Sequence, residues 1–165
     1  VYHNDPNGFE GFLDELASVD AKFVVYNFGE DHDAKRYPNI RFAAPSRTGF
    51  LRDLESCKAV ICSAGYTLIC ESLYLKKPML TMPNLGIFEQ GLNAIMLAES
   101  GLGSWCPTGR PTADDVRQFL ADVPTYRERL QSHVLPLGNE EAVHCIEQEV
   151  GRALALGRSL QPEAA

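Results

Sequence analysis

"AVICSAGYTLICESL", residues 59–73, changes character in its middle. Ala59, Val60, Ile61 and Cys62 form a short apolar run of the kind that makes a buried strand. Ser63, Ala64 and Gly65 follow, all small. Leu68, Ile69 and Leu73 then recur at helical spacing, with Thr67 early and Glu71 one turn later. A buried strand that passes straight into a helix is the repeating unit of a parallel sheet covered by helices.

The same alternation extends in both directions. "VYH" at the start, "KFVVYNF" (22–28), "NIRFAA" (39–44), "PMLTMP" (78–83) and "GSWCP" (103–107) read as further strands. Between them, "GFEGFLDELASV" sets Phe9, Phe12, Leu13 and Leu16 on one helix face. "TGFLRDLESC" carries Phe50, Leu51 and Leu54, with Thr48 as its cap. "FEQGLNAIMLAESG" carries Leu92, Ile95 and Met96 and stops at Gly101. Thr112 caps a helix with Asp114 and Asp115 in its first turn. Two more helices are expected, over about 125–134 and 140–156. The expected fold is α/β: a doubly wound, Rossmann-like parallel sheet spanning residues 1–156, with a flexible tail over 157–165. The chain opens on Val1 rather than Met and directly on a strand, which reads as a piece of a longer protein.

With 165 residues, the chain is long enough for one substantial core; it is 45% hydrophobic and 22% charged. A net charge of -7 argues against a nucleic-acid partner, which needs clustered Lys and Arg. No apolar run is long enough to span a bilayer. Cys57, Cys62, Cys70, Cys106 and Cys145 form no CxxC pair and read as free buried thiols, as in a reducing cytoplasm. Asp31, His32 and Asp33 are adjacent residues of a polar loop. Three neighbours rarely converge on one ion, so no metal is expected.

In a doubly wound sheet, ligands gather beyond the carboxyl ends of the strands. Ser63, Ala64 and Gly65 let a ligand approach the backbone closely. The first N–H groups of the helix, at Tyr66 and Thr67, make an anion site suited to phosphate. Glu71 shares a face with Thr67 and, one turn along, suits the diol of a ribose. Small residues before a Thr also merely cap helices, and Glu71 could instead pair with a lysine. At the next strand end, Glu89 and Gln90 fall in the first helical turn. They could hold sugar hydroxyls, or Glu89 could simply complement the helix dipole.

Taken together, "SAGYTLICESLYLKKPMLTMP", "FEQGLNA" and "ESGLG" resemble the C-terminal half of a GT-B glycosyltransferase. The pattern is similar to the UDP-glucuronosyltransferase group and to the enzyme that adds N-acetylglucosamine to the lipid-linked peptidoglycan precursor. The resemblance implies a donor domain that binds a UDP-sugar and needs no metal or other cofactor. Ser63, Gly65, Tyr66 and Thr67 would line the diphosphate, and Glu71 the ribose. Phe42 to Pro45 would lie along the base, Glu89 and Gln90 would hold the sugar, and Gly8 would lie near the phosphates. The acceptor hydroxyl and the catalytic base would come from an N-terminal domain outside this chain, leaving the acceptor unidentified and this piece inactive alone. Such an enzyme would be cytoplasmic, or peripheral at the inner membrane face if its acceptor is a lipid. Many relatives carry His where Ser63 stands, Gly where Lys77 stands, and Gly-Ser in the first loop. A sugar-nucleotide 2-epimerase of the same fold, or a non-catalytic module, would carry much of the same pattern.

Overall fold

The computed structural model describes residues 1–3, 10–29, 35–133 and 138–159. It contains α1 (Glu10–Ala17), β1 (Phe23–Tyr26), β2 (Ile40–Ala43), α2 (Arg47–Ser56), β3 (Val60–Cys62), α3 (Tyr66–Tyr74), β4 (Met79–Thr81), α4 (Phe88–Glu99), β5 (Gly103–Trp105), α5 (Ala113–Ser132) and α6 (Asn139–Ser159). Residues 1–133 form one compact unit, and residues 134–165, which contain α6, form a second.

Every strand pairing is parallel: β1 with β2, β3 with β4, and β4 with β5. The two groups are joined by the first residues of the chain. Tyr2 bridges in parallel to Tyr26 on one side and to Cys62 on the other. Its N–H donates to the Ile61 carbonyl at 2.9 Å, and the Val1 carbonyl accepts from Tyr26 N at 3.0 Å. The order across the sheet is therefore β2, β1, the segment at Tyr2, β3, β4, β5. This is the doubly wound order, with its switch point between the Tyr2 segment and β3.

Alternate residues of the strands feed two cores. Phe23, Val25, Ile61, Leu80 and Met82 pack with Phe12, Leu13 and Leu16 of α1 and with Val116, Phe119 and Val123 of α5. On the other face, Val60, Cys62 and Met79 pack with Leu54 of α2, Leu68 and Ile69 of α3, and Ala94 and Leu97 of α4. Burial on both faces is why the strands read as continuous apolar runs rather than alternating ones.

Several local expectations are corrected. The cap of α2 is Ser46, whose hydroxyl accepts from Gly49 N at 3.1 Å, not Thr48. Pro124 does not separate two helices: α5 runs through it as one helix of 20 residues. Proline costs a helix one hydrogen bond. Here Val123 and Leu130, fully buried on either side of it, outweigh that loss. Thr112 does cap α5, in a reciprocal capping box with Asp115. The inward face of α4 is Gln90, Ala94 and Leu97, whereas Leu92, Ile95 and Met96 are exposed. All five cysteines are free, but Cys70 and Cys145 are exposed rather than buried. Phe9 and the Asp31, His32, Asp33 cluster lie outside the described residues. Among the described residues, no helix is long and apolar enough to cross a membrane.

One polar clamp ties α2 to the sheet. Asp53 Oδ2 accepts from the Tyr26 hydroxyl at 2.6 Å and from Arg41 Nη2 at 2.7 Å. The Tyr26 hydrogen bond, helped by Arg41, holds the Asp53 carboxyl below its usual range. A carboxyl depressed in the fold stabilises it above the unfolded value, near pH 3.9, and that contribution is lost as pH falls through the folded value. Asp53→Asn is therefore expected to lower stability at pH 7 and to flatten its fall below about pH 4, measured by urea denaturation across pH.

A Cβ at Gly103 would sit 2.6 Å from the Met79 carbonyl oxygen and 3.0 Å from Leu97 Cδ2. The Met79 carbonyl cannot yield without parting β4 from β5, which pair there. Gly103→Ala is expected to lower the unfolding free energy by about 1–3 kcal/mol, read from the denaturation midpoint at unchanged slope.

Candidate functional site

β3 is buried along its whole length and leaves the sheet at Ser63 and Ala64, both also buried. The tight turn is made by Ala64 (φ 57), not by Gly65. Gly65 has ordinary extended angles, φ -66 and ψ 131, and is the N-cap of α3. Having no side chain, it leaves the first turn of α3 without a side-chain cap. A Cβ built on Gly65 meets nothing within 4 Å. The chain's own structure therefore does not demand glycine there.

Tyr66 and Thr67 are exposed at the tip of α3, and Glu71, half-buried, follows one turn along. Hydrogen bonding to Cys70 pushes the Tyr66 hydroxyl above its usual range. Lys76 Nζ donates to the His133 carbonyl at 2.7 Å, and Lys77 Nζ donates to the carbonyls of Glu55 and Cys57. Both lysines thus brace the carbonyl ends of other helices. Among the described residues, Glu71 has no ion-pair partner. Burial pushes the Cys62 thiol up to about 11, so the cysteine before the turn stays protonated and packs rather than reacts.

α4 also begins without a side-chain cap, at Ile87. Its first turn separates the two residues expected to act together. Glu89 is exposed. Gln90 is 6% exposed, and its Oε1 accepts from Asn84 N at 3.0 Å, holding the loop after β4. Gly109 (φ +67) brings the loop after β5 against this one: a Cβ there would lie 2.4 Å from the Pro83 carbonyl oxygen.

Phe42 lies in β2, at the outer edge of the sheet, and its ring packs edge-on against Tyr37 at 5.8 Å. Its side chain is used in packing, while Ala44 and Pro45 stand exposed at the strand end. Gly8 lies outside the described residues. Two asparagines given no role from the sequence complete the carboxyl end of the sheet. Asn27 (φ 72) donates through Nδ2 to the His3 carbonyl at 2.8 Å, joining the exits of two central strands. Asn93 Nδ2 donates to the Ala64 carbonyl at 3.1 Å and to Glu89 Oε1 at 3.2 Å. Asn93 belongs to the "FEQGLNA" stretch that carries the resemblance, four residues after Glu89 on one helix face, but no role was read for it from the sequence.

Among the described residues, no group of three or more His, Cys, Asp and Glu side chains could hold a metal ion. A cavity of about 480 Å³ lies toward the opposite end of the sheet, lined by Lys22, Phe23, Phe50, Cys57 and Ala59 among others, and includes none of Ser63, Gly65, Tyr66, Thr67, Glu71, Glu89 and Gln90.

Comparison with known proteins agrees with this fold. A family profile described as glycosyl transferase family 1 matches residues 1–124. No curated protein matches the chain. Among solved structures, the glycotransferase of kitacinnamycin superposes with a TM-score of 0.64 at 19% identity, over 79% of this chain and 36% of that one. The calicheamicin glycosyltransferase CalG4 gives 0.61 at 23% identity, over 86% and 40%. Glycosyltransferase VinC, solved in complex with dTDP, gives 0.55 at 21% identity, over 73% and 31%. The chain thus spans between 31% and 40% of these structures, and its fold is that of one half of a GT-B glycosyltransferase. The described architecture and the profile spanning residues 1–124 place the chain in glycosyl transferase family 1.

Proposed function

We propose that this chain is the donor-binding half of a glycosyltransferase and takes a UDP-sugar, whose sugar passes to an acceptor hydroxyl held by another domain. The observation that carries this reading is Gly65. It is a glycine with ordinary backbone angles and open space at its missing Cβ, set at the uncapped tip of a helix beside the switch point of the sheet.

The diphosphate lies against the N–H groups of Gly65, Tyr66 and Thr67, beside Ser63, with the Thr67 hydroxyl as a further donor. The glycine lets the phosphates approach within hydrogen-bonding distance of the backbone. Glu71 accepts hydrogen bonds from the ribose. Glu89 holds the donor sugar; Gln90 contributes by shaping the Asn84 loop, with its amide toward the sugar side. The backbone from Phe42 to Pro45 follows the base, and Gly8 lies near the phosphates. As the glycosidic bond breaks, negative charge grows on the leaving diphosphate. The partial positive charge at the start of α3 stabilises it, with no metal or other cofactor taking part. The base that deprotonates the acceptor belongs to the other domain. We place the enzyme in the cytoplasm, at the membrane surface where its acceptor is a lipid.

The dTDP complex of VinC favours a second pyrimidine nucleotide. A deoxyribose offers Glu71 one hydroxyl fewer. Calorimetric titration of the complete natural protein with UDP, dTDP, GDP and ADP, with and without magnesium, is expected to show UDP tightest and magnesium irrelevant. Glu71→Ala is expected to weaken UDP about tenfold to a hundredfold, the worth of a charged hydrogen bond, and to erase the preference over dTDP. Unchanged UDP affinity in that variant removes Glu71 from the site, and tighter binding of dTDP by the wild type moves the donor to deoxynucleotide sugars.

Gly65→Ala separates binding from folding. Alanine is a poorer N-cap than glycine, by about 1 kcal/mol or less. The denaturation midpoint is expected to move little, while UDP affinity falls at least about tenfold as the methyl fills the space given to the phosphates. A loss of stability with intact affinity defeats this placement of the diphosphate.

A further inference from the structure

Asn93 sits on α4 one turn beyond Glu89, and its side-chain amide reaches two elements at once. Nδ2 donates to the Ala64 carbonyl at 3.1 Å and to Glu89 Oε1 at 3.2 Å. Both partners are pure acceptors, so the chemistry fixes which end of the amide faces them.

The first partner is a strained one. Ala64 is fully buried and carries φ 57, a region that a residue with a Cβ rarely adopts. Such a conformation persists only where surrounding structure holds it. Core packing around Ala64 supplies part of that hold, and Asn93, 29 residues away in sequence, fixes its carbonyl. The peptide that joins Ala64 to Gly65 is planar, with its C=O and N–H pointing in opposite directions. Fixing the Ala64 carbonyl therefore fixes the direction of the Gly65 N–H, the first donor at the tip of α3. The second bond restrains the exposed Glu89 carboxylate, which would otherwise sample several rotamers.

We propose that Asn93 is a positioning residue that couples the two halves of the donor site: it aims the Gly65 amide at the diphosphate and holds Glu89 for the sugar. This rests on the donor-site reading above, and the test keeps the two apart. In the complete natural protein, labelled with 15N, Asn93→Ala is expected to shift the Gly65, Tyr66 and Thr67 amide signals and speed their hydrogen exchange, with no nucleotide present. UDP affinity is expected to fall about threefold to tenfold, as for one lost neutral hydrogen bond. Of UDP-glucose, UDP-galactose and UDP-N-acetylglucosamine, the tightest binder is expected to lose a further threefold or so. In a Glu89→Ala background the UDP loss persists and the extra loss for the sugar nucleotide disappears.

If the wild type binds UDP and Asn93→Ala binds it equally well with unmoved amides, the positioning role is overturned while the donor reading stands. Equal losses for UDP and every UDP-sugar, unaffected by Glu89→Ala, overturn the coupling and leave Asn93 as a brace of the turn. A wild type that binds no nucleotide defeats the donor reading and this proposal with it. Should the alanine variant unfold, Asn93→Ser, which keeps one donor, reads the same ratios.

Discussion

The arrangement of the sheet depends on the pairing of Tyr2 with two strands at once. Its bridges to Tyr26 and Cys62 put the first segment of the chain in the middle of the sheet, between strands that come much later. Chain leaving β1 then moves outward to one edge, and chain leaving β3 moves outward to the other. The connections diverge on either side of that central segment, and a crevice opens at the carboxyl ends without any strand having to bend. The Tyr2 ring supports the arrangement from the side, edge-on to Phe50 at 5.7 Å, while Phe50 in turn packs edge-on to Tyr26 at 5.1 Å. The placement of the candidate site beside Ser63 and Gly65 rests on this topology before any particular side chain is considered.

The fold was legible because its strands are short, apolar and separated by helices, so each carries an unambiguous signal. What failed were the details that tertiary packing decides. α4 has apolar residues all round. The stripe of Leu92, Ile95 and Met96 is the more hydrophobic one, yet Gln90, Ala94 and Leu97 face the core. Periodicity cannot choose between two stripes when the inner one must use a small alanine to sit close to the sheet. Ser46 and Thr48 are both hydroxyl residues near the start of α2, and only the chain direction after β2 selects the first. Pro124 carries a strong local signal to break a helix, which the burial of Val123 and Leu130 overrides.

The candidate residues could be named from the sequence, but what holds each of them in place could not. Gly65 stood out as a turn residue, but the strained turn belongs to Ala64, whose identity gives no hint of a left-handed conformation. Glu89 and Gln90 looked equivalent from their adjacency. On a helix, neighbours point about 100° apart, so one faces outward and the other inward. The ring of Phe42 packs against Tyr37, which leaves only its backbone for the role expected along the base. A residue's chemistry can be read from its letter, but its partners come from elements far away in sequence.

This separation suggests how a chain with a net charge of -7 can offer a home to a diphosphate. Lys76 and Lys77, close in sequence to α3, are committed to backbone carbonyls elsewhere. The proposed site therefore relies on backbone N–H groups, whose combined dipole at a helix start amounts to roughly half a positive charge. Such a source needs no long side chain to be ordered, and it leaves room for carboxylates nearby. A helix rises about 5.4 Å per turn, so Glu71 stands far enough from the tip to meet a sugar ring before it meets a phosphate. Repulsion between charges falls with that distance, while a hydrogen bond from a sugar hydroxyl to a carboxylate keeps its strength at contact. Helix pitch thus separates the proposed attraction for the phosphates from the contact with the ribose, and the neutral amide of Asn93 links the helix tip to Glu89 without adding charge to either.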